Sequence, residues 1–167
     1  MSDRTPERGY VPGLLGGIAG LHARYYARHH GFGAAFEVAV AQGLADFLPR
    51  LEHGPNAIWH VTEHGRTLAS IAIDGEDLGQ GLAHLRWFVV AEPLQGQGVG
   101  RQLLDAALAF VDARGFAATR LWTFRGLDVA RHLYEARGFR LESSGPGASW
   151  GVVVEEQCFF RPTPLEI

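Results

Sequence analysis

Apolar positions along the chain alternate between two repeats, and each change of repeat marks an element. Leu14, Ile18, Leu21 and Tyr25 recur at helical spacing, and His29, His30 and Gly31 close that segment as a helix with a glycine stop. Phe36, Val40, Leu44 and Phe47 predict a shorter amphipathic helix ended by Pro49. From residue 57 to 73 the pattern turns β-branched and alternating, interrupted only by Glu63-His64-Gly65-Arg66, which predicts a hairpin. An acidic, glycine-rich loop over 74–81 leads into a strand over 83–90. A glycine-rich turn follows, then a helix with Leu103, Leu104, Ala107, Leu108 and Val111 on one face, ending at Gly115. Residues 118–124 predict a strand and 128–137 a helix stopped by Gly138. Residues 139–143 and 152–160 supply two last strands around a loop at 144–149, and a short strand is expected near 8–11. The sum is an α/β chain with no internal repeat and no dividing linker, so residues 1–167 are expected to form one domain with 1–12 and 162–167 frayed.

Composition narrows what such a domain can bind. With 15 basic and 18 acidic residues the formal net charge is −3, which gives no general attraction to nucleic acid or an anionic membrane. Any anion must therefore be held locally. Every basic residue is Arg, so no lysine is present for self-acetylation. The lone Cys158 sits in an apolar run and cannot form an internal disulfide. No apolar stretch reaches the ~18 residues of a membrane helix, and the N-terminus lacks a signal-peptide core. A cytoplasmic, reducing location is the expectation. The histidines at 22, 29 and 30 lack a carboxylate or Cys partner at metal-binding spacing, and no metal is expected.

Glycine is in surplus, 22 of 167 residues, and three of the 22 gather at 96, 98 and 100, between a strand and a helix. The first amides of a helix have no internal partner, and its dipole places partial positive charge there, so a bare-backbone turn at that point is an anion site. No Lys-Ser or Lys-Thr follows, which excludes a P-loop, and Arg101 stands where a dinucleotide fingerprint has glycine. Gln95-x-x-Gly98-x-Gly100 resembles the acyl-CoA pyrophosphate motif of the GNAT superfamily of N-acetyltransferases. Leu133-Tyr134-Glu135-x-x-Gly138-Phe139 resembles its LYxxxGF signature, with Ala130 at the small position before it. The likeness runs from about Ala57 to Phe160. The stretches 21–26, 84–90, 121–124 and 150–151 are similar, more narrowly, to the acetyltransferase half attached to MarR-type regulators, whose winged-helix half is absent here.

This resemblance implies a mostly antiparallel central sheet of about six or seven strands, flanked by about four helices and splayed at the cofactor site. It implies acetyl-CoA as cofactor and direct attack by the primary amine of a small molecule, amino-acid-like metabolite or peptide. Phe88, Val89 and Val90 would pair with the pantetheine arm. The pyrophosphate would rest on Gly96, Gln97, Gly98, Val99, Gly100 and Arg101, with Gln95 beside it. Thr123, Ala130 and Tyr134 would complete the cofactor site. Leu127 stands where relatives often carry an Asn that bonds pantetheine, so Thr123 or Arg125 would have to replace that contact. Tyr134 matches the family's acid toward the leaving thiolate. His84 resembles in position a strand glutamate used as base, and period-2 alternation places it on one face with Arg86, Phe88 and Val90. Glu37, Glu155 and Glu156 are the other candidate bases. The acceptor pocket would be lined by Tyr25, Tyr26, Phe32, Glu37, Trp122, Trp150 and Glu155, with Glu76, Asp77 and Glu156 also suited to a cationic amine. A homodimer is compatible with the family. The alternative is a non-catalytic acyl-CoA sensor or interaction domain.

Overall fold

Gly31 shows how closely the elements follow the periodicity. It ends the first helix with φ 69°, a left-handed conformation that closes a helix readily only in glycine, and its amide bonds back to Ala27. The computed structural model describes residues 4–165, and in it α1 spans Leu14–His30 and α2 Ala34–Phe47. Strand β1 is Glu7–Arg8, β2 Ala57–Glu63, β3 Arg66–Asp74 and β4 Leu82–Val90. Helix α3 (Val99–Arg114), β5 (Ala118–Phe124), α4 (Asp128–Ala136), β6 (Arg140–Gly147) and β7 (Val154–Pro162) complete the order. Strand β6 takes in much of the loop expected at 144–149. Its Pro146, paired opposite Glu155 in an edge strand, needs no second partner for an amide it lacks.

The sheet order is β1-β2-β3-β4-β5-β7-β6, antiparallel throughout except for the parallel pair β4 and β5. This is the mixed α/β fold expected. Alternation sorts the strands onto two faces. Ala57, Trp59 and Val61 of β2, with Ala69, Ile71 and Ile73 of β3, pack with Leu103, Leu104, Ala107 and Val111 of α3. Ile58 and Ala72 pack on the opposite face with Ile18, Phe36, Leu44 and Phe47 of α1 and α2.

Two irregularities set β4 apart from the other strands. Pairing with β5 covers only Leu82, Ala83 and His84, after which the strands part and Leu85–Val90 keeps one edge without a strand partner. Against β3 the register slips between Ser70 and Ala72, because Val89 opposes Ser70 while Arg86 opposes Ala72. The extra residue is a β-bulge around Trp87, whose φ is 51°, and buried Ser70 Oγ donates to the Trp87 carbonyl at 2.6 Å. The bulge reverses the alternation. Ala83 and Leu85 lie on the α3 face, and so do Phe88 and Val90, whereas Trp87 packs on the α1–α2 face. The expectation that His84, Arg86, Phe88 and Val90 share a face therefore fails, since a single inserted residue shifts a period-2 pattern by one.

The loop after β3 is tied by a buried carboxylate. Asp74 accepts from Arg50 at 3.1 and 2.8 Å and from the amides of Glu76 and Asp77 at 3.1 and 3.2 Å. Burial alone would raise its pKa, but these bonds hold it below the usual carboxylate value. Its stabilisation is therefore present above the unfolded-state pKa and is lost as pH falls through the lower folded-state value. Asp74→Asn is expected to cost about 2 kcal/mol at neutral pH, the scale of hydrogen bonds to a charged group. Urea titrations of both proteins check this, and the difference should close in acid as the wild-type carboxyl takes up its proton.

Candidate active site

Where β4 and β5 part, the gap becomes a cleft of about 420 Å³ that passes from one face of the sheet to the other. From the α1–α2 side it is lined by His22, Tyr26, Phe36, Val40, Trp87 and Trp150, and from the α3–α4 side by Phe88, Ala130 and Tyr134. His84, Arg86, Trp122, Thr123, Leu127 and Glu156 stand along it. A smaller cavity of about 250 Å³ at the end of β5 shares Thr123, Leu127 and Tyr134 with the cleft and adds Arg125, Arg131 and Gln157.

Beyond the open edge of β4, the chain makes a short 3₁₀ turn at Glu92–Leu94, pinned by buried Leu94 and Val99, and enters α3 through Gly98. Gly98 has φ 82° and no side chain caps the amides that follow it. A Cβ at Gly96 or Gly98 would meet no atom within 4 Å, so both glycines face open space. Arg101 is exposed beside them with no ion-pair partner among the described residues. Bare amides at a helix N-terminus flanked by a free guanidinium fit a pyrophosphate. Gln95 and Gln97 have structural partners. Gln95 Nε2 donates to the Val90 carbonyl at 3.1 Å and to Tyr25 Oη at 3.3 Å, and Gln97 Nε2 to the Pro93 carbonyl at 2.8 Å. Gly98→Val is expected to weaken acetyl-CoA binding about tenfold, because a β-branched residue is strained at this φ and covers the amides. Equilibrium titration with the cofactor would measure it.

Tyr134 is 6% exposed, its ring packed against Phe88, Phe139 and Phe159. Burial pushes its pKa above the usual phenol range, so the group stays protonated. Its hydroxyl has no hydrogen-bond partner among the described residues. Across the cleft, His84 Nδ1 lies 2.7 Å from Asp77 Oδ2, and Trp122 meets the imidazole edge-on with centroids 4.9 Å apart. A carboxylate can only accept, so Nδ1 carries the proton in the neutral ring and Nε2 presents a lone pair. Cys158 is buried and burial pushes its thiol up to about 11, far from a thiolate nucleophile. Among the described residues no group of three or more His, Cys, Asp or Glu is placed to hold a metal, and no helix is long and apolar enough to cross a membrane.

The cleft thus gathers Tyr26, His84, Phe88, Trp122, Thr123, Ala130, Tyr134 and Trp150 of the expected residues. Of the others expected around the acceptor it gathers Glu156 and none of the rest. Tyr25 turns toward Gln95 and packs with Val89 and Ala91. Phe32 is core, 3% exposed, and Glu37 lies exposed on α2. Glu155 is exposed and accepts from Ser144 Oγ, while its neighbour Glu156 faces the cleft and accepts from the Ser149 amide. His22, Phe36, Arg86 and Trp87 line the cleft without having been expected there. The signal for His22 was its spacing of four from Tyr26, which puts both on one side of α1.

Comparison with known proteins agrees with this fold. An acetyltransferase of the GNAT family from Staphylococcus aureus Mu50 superposes with a TM-score of 0.73 at 13% identity, covering 96% of this chain and 100% of its own. The ribosomal-protein-S18-alanine N-acetyltransferase of Escherichia coli gives 0.67 at 19% identity, covering 98% and 97%. An IAA acetyltransferase from Bacillus cereus gives 0.61 at 18%, covering 95% and 98%. No curated protein matches the chain. The family description "Acetyltransferase (GNAT) family" matches residues 28–139, the stretch that carries the open strand edge, the glycine turn and Tyr134. The chain belongs to the GNAT family of acetyltransferases.

Proposed function

We propose that the protein transfers the acetyl group of acetyl-CoA to the primary amine of a small molecule, amino-acid-like metabolite or peptide, both substrates being bound together in the β4–β5 cleft. The observation that carries this reading is the cleft itself, which opens to α3 and α4 on one face and to α1 and α2 on the other. The cofactor enters from the glycine turn and the amine from the opposite side, so the two meet between the strands without exchanging places. Bound acetyl-CoA supplies an acyl carbon already activated as a thioester. The free edge of Phe88, Val89 and Val90 aligns the arm, the amides from Gly96 to Arg101 hold the diphosphate, and Thr123 and Ala130 border the arm where Leu127 offers no polar contact.

His84 Nε2 takes the proton from the attacking nitrogen, directly or through one water, and Asp77 holds the ring in the required tautomer. As the carbon–nitrogen bond forms and the carbon–sulfur bond breaks, Tyr134 Oη donates a hydrogen bond to the departing sulfur. Glu156 faces the entering ammonium from the cleft wall. Kinship with the acetyltransferase half of MarR-type regulators rests on the stretches 21–26, 84–90, 121–124 and 150–151. A thiol-release assay over a panel of amines tests the function. Turnover on at least one amine is the expected result, and saturable acetyl-CoA binding with no turnover on any would establish the sensor reading instead.

A further inference from the structure

The α1–α2 side of the cleft has a composition that selects among amines. His22 is 5% exposed, and its Nδ1 lies 2.8 Å from the Ile18 carbonyl. A carbonyl only accepts, so Nδ1 is the donor and Nε2 an acceptor. Nε2 has no partner among the described residues, and His22 lines the cleft. Burial lowers the ring's pKa to about 4, so it remains neutral at physiological pH. Around it stand flat apolar surfaces. Tyr26 stacks on His22 at 6.2 Å and meets Phe36 edge-on at 5.2 Å, while Phe124, Trp150 and Trp87 continue the wall.

The charges here limit the occupant further. Among the described residues Arg86 is the one cation lining the cleft, and it is already placed against Asp74 at 3.4 Å and Asp77 at 3.8 Å, with its guanidinium 4.1 Å from the Trp87 centroid. No free cation is left among these lining residues for a substrate carboxylate. Nε2 is not sealed from solvent, so a ligand that displaces its water and brings a donor keeps that bond, whereas one without a donor forfeits it.

We propose that this side of the cleft binds the ring of an aromatic amine that carries a hydrogen-bond donor, an O–H or ring N–H, received by His22 Nε2. The inference rests on the acetyl-transfer reading for its chemistry and on the cleft alone for its binding. The test compares tyramine, its meta isomer and tryptamine with phenethylamine, which has no donor on the ring, and with spermidine. Thiol release gives kcat and KM, and calorimetry with CoA-saturated protein gives affinity independently of turnover.

The best donor-bearing amine should exceed phenethylamine about tenfold in kcat/KM and in affinity. His22→Phe, which keeps a ring but removes the acceptor, should abolish that preference by raising KM at unchanged kcat. Equal behaviour of phenethylamine and the donor-bearing amines in the wild type, or a preference for spermidine, would overturn the inference while leaving acetyl transfer intact. Donor-dependent binding without thiol release from any amine would support the site and overturn the transfer reading. Absence of both would overturn both.

Discussion

His84→Ala is expected to lower kcat about a thousandfold. The expectation comes from what surrounds the imidazole. It is held by the Asp77 carboxylate at Nδ1 and by Trp122 on its edge, so Nε2 is fixed in direction and tautomer. A positioned base contributes typically 10²–10⁴-fold, and the middle of that range applies where no other group in the cleft has the same access. Glu156 is nearest in kind, but its Oε1 accepts from the Ser149 amide and its burial is only partial. Asp77→Asn separates positioning from proton transfer. The amide can still meet Nδ1 but, able to donate as well as accept, no longer fixes the tautomer, so kcat should fall about tenfold. Steady-state rates between about pH 5.5 and 8 measure both. A kcat unchanged in His84→Ala would remove His84 from the mechanism.

Tyr134→Phe should lower kcat about a hundredfold with folding stability nearly unchanged. The two outcomes are separable because the phenol is divided in its contacts. Its ring fills the α3–α4 face of the core beside Phe88, Phe139 and Phe159, and Phe preserves that packing. Its oxygen bonds no described residue, so deletion leaves no protein group unpaired. Burial keeps the hydroxyl protonated well above neutral pH, which makes it a hydrogen-bond donor to a leaving sulfur. It does not make it a ready source of a free proton. Loss of one such donor aimed at developing charge costs on the order of a hundredfold. Thermal unfolding beside steady-state kinetics checks both halves, and a variant that loses stability but not kcat would assign Tyr134 to packing.

Much of this was legible in the residues because local chemistry decided it. Helical spacing with Gly31 and Gly115 at the ends bounded α1 and α3, and the cluster at 96, 98 and 100 marked the turn with exposed amides. What escaped depended on pairing between distant segments. Glu155 and Glu156 are equivalent in a single sequence. Only the pairing of Glu156 with Phe124 turns one carboxylate to the cleft and the other to solvent. The bulge at Trp87 left no local sign, since tryptophan has no preference for positive φ, and it was the Ser70 hydroxyl in another strand that fixed it. His22 stood with His29 and His30 as a group without metal-binding spacing, and its burial became evident only with Phe36 packed beside it.

The Trp87 bulge separates the two sides of the cleft along β4. Substitution at Trp87 changes a surface of the cleft, and deletion of that residue would restore strict alternation with Phe88 and Val90 still facing α3, because Ala83, Leu85, Phe88 and Val90 already share that face. The α3–α4 wall of the cleft would keep its side chains, and the α1–α2 wall would lose one aromatic surface. A change of length at 86–87 therefore acts on the α1–α2 side of the cleft and spares the opposite wall, which makes the bulge a place where the shape of one side can change without disturbing the other.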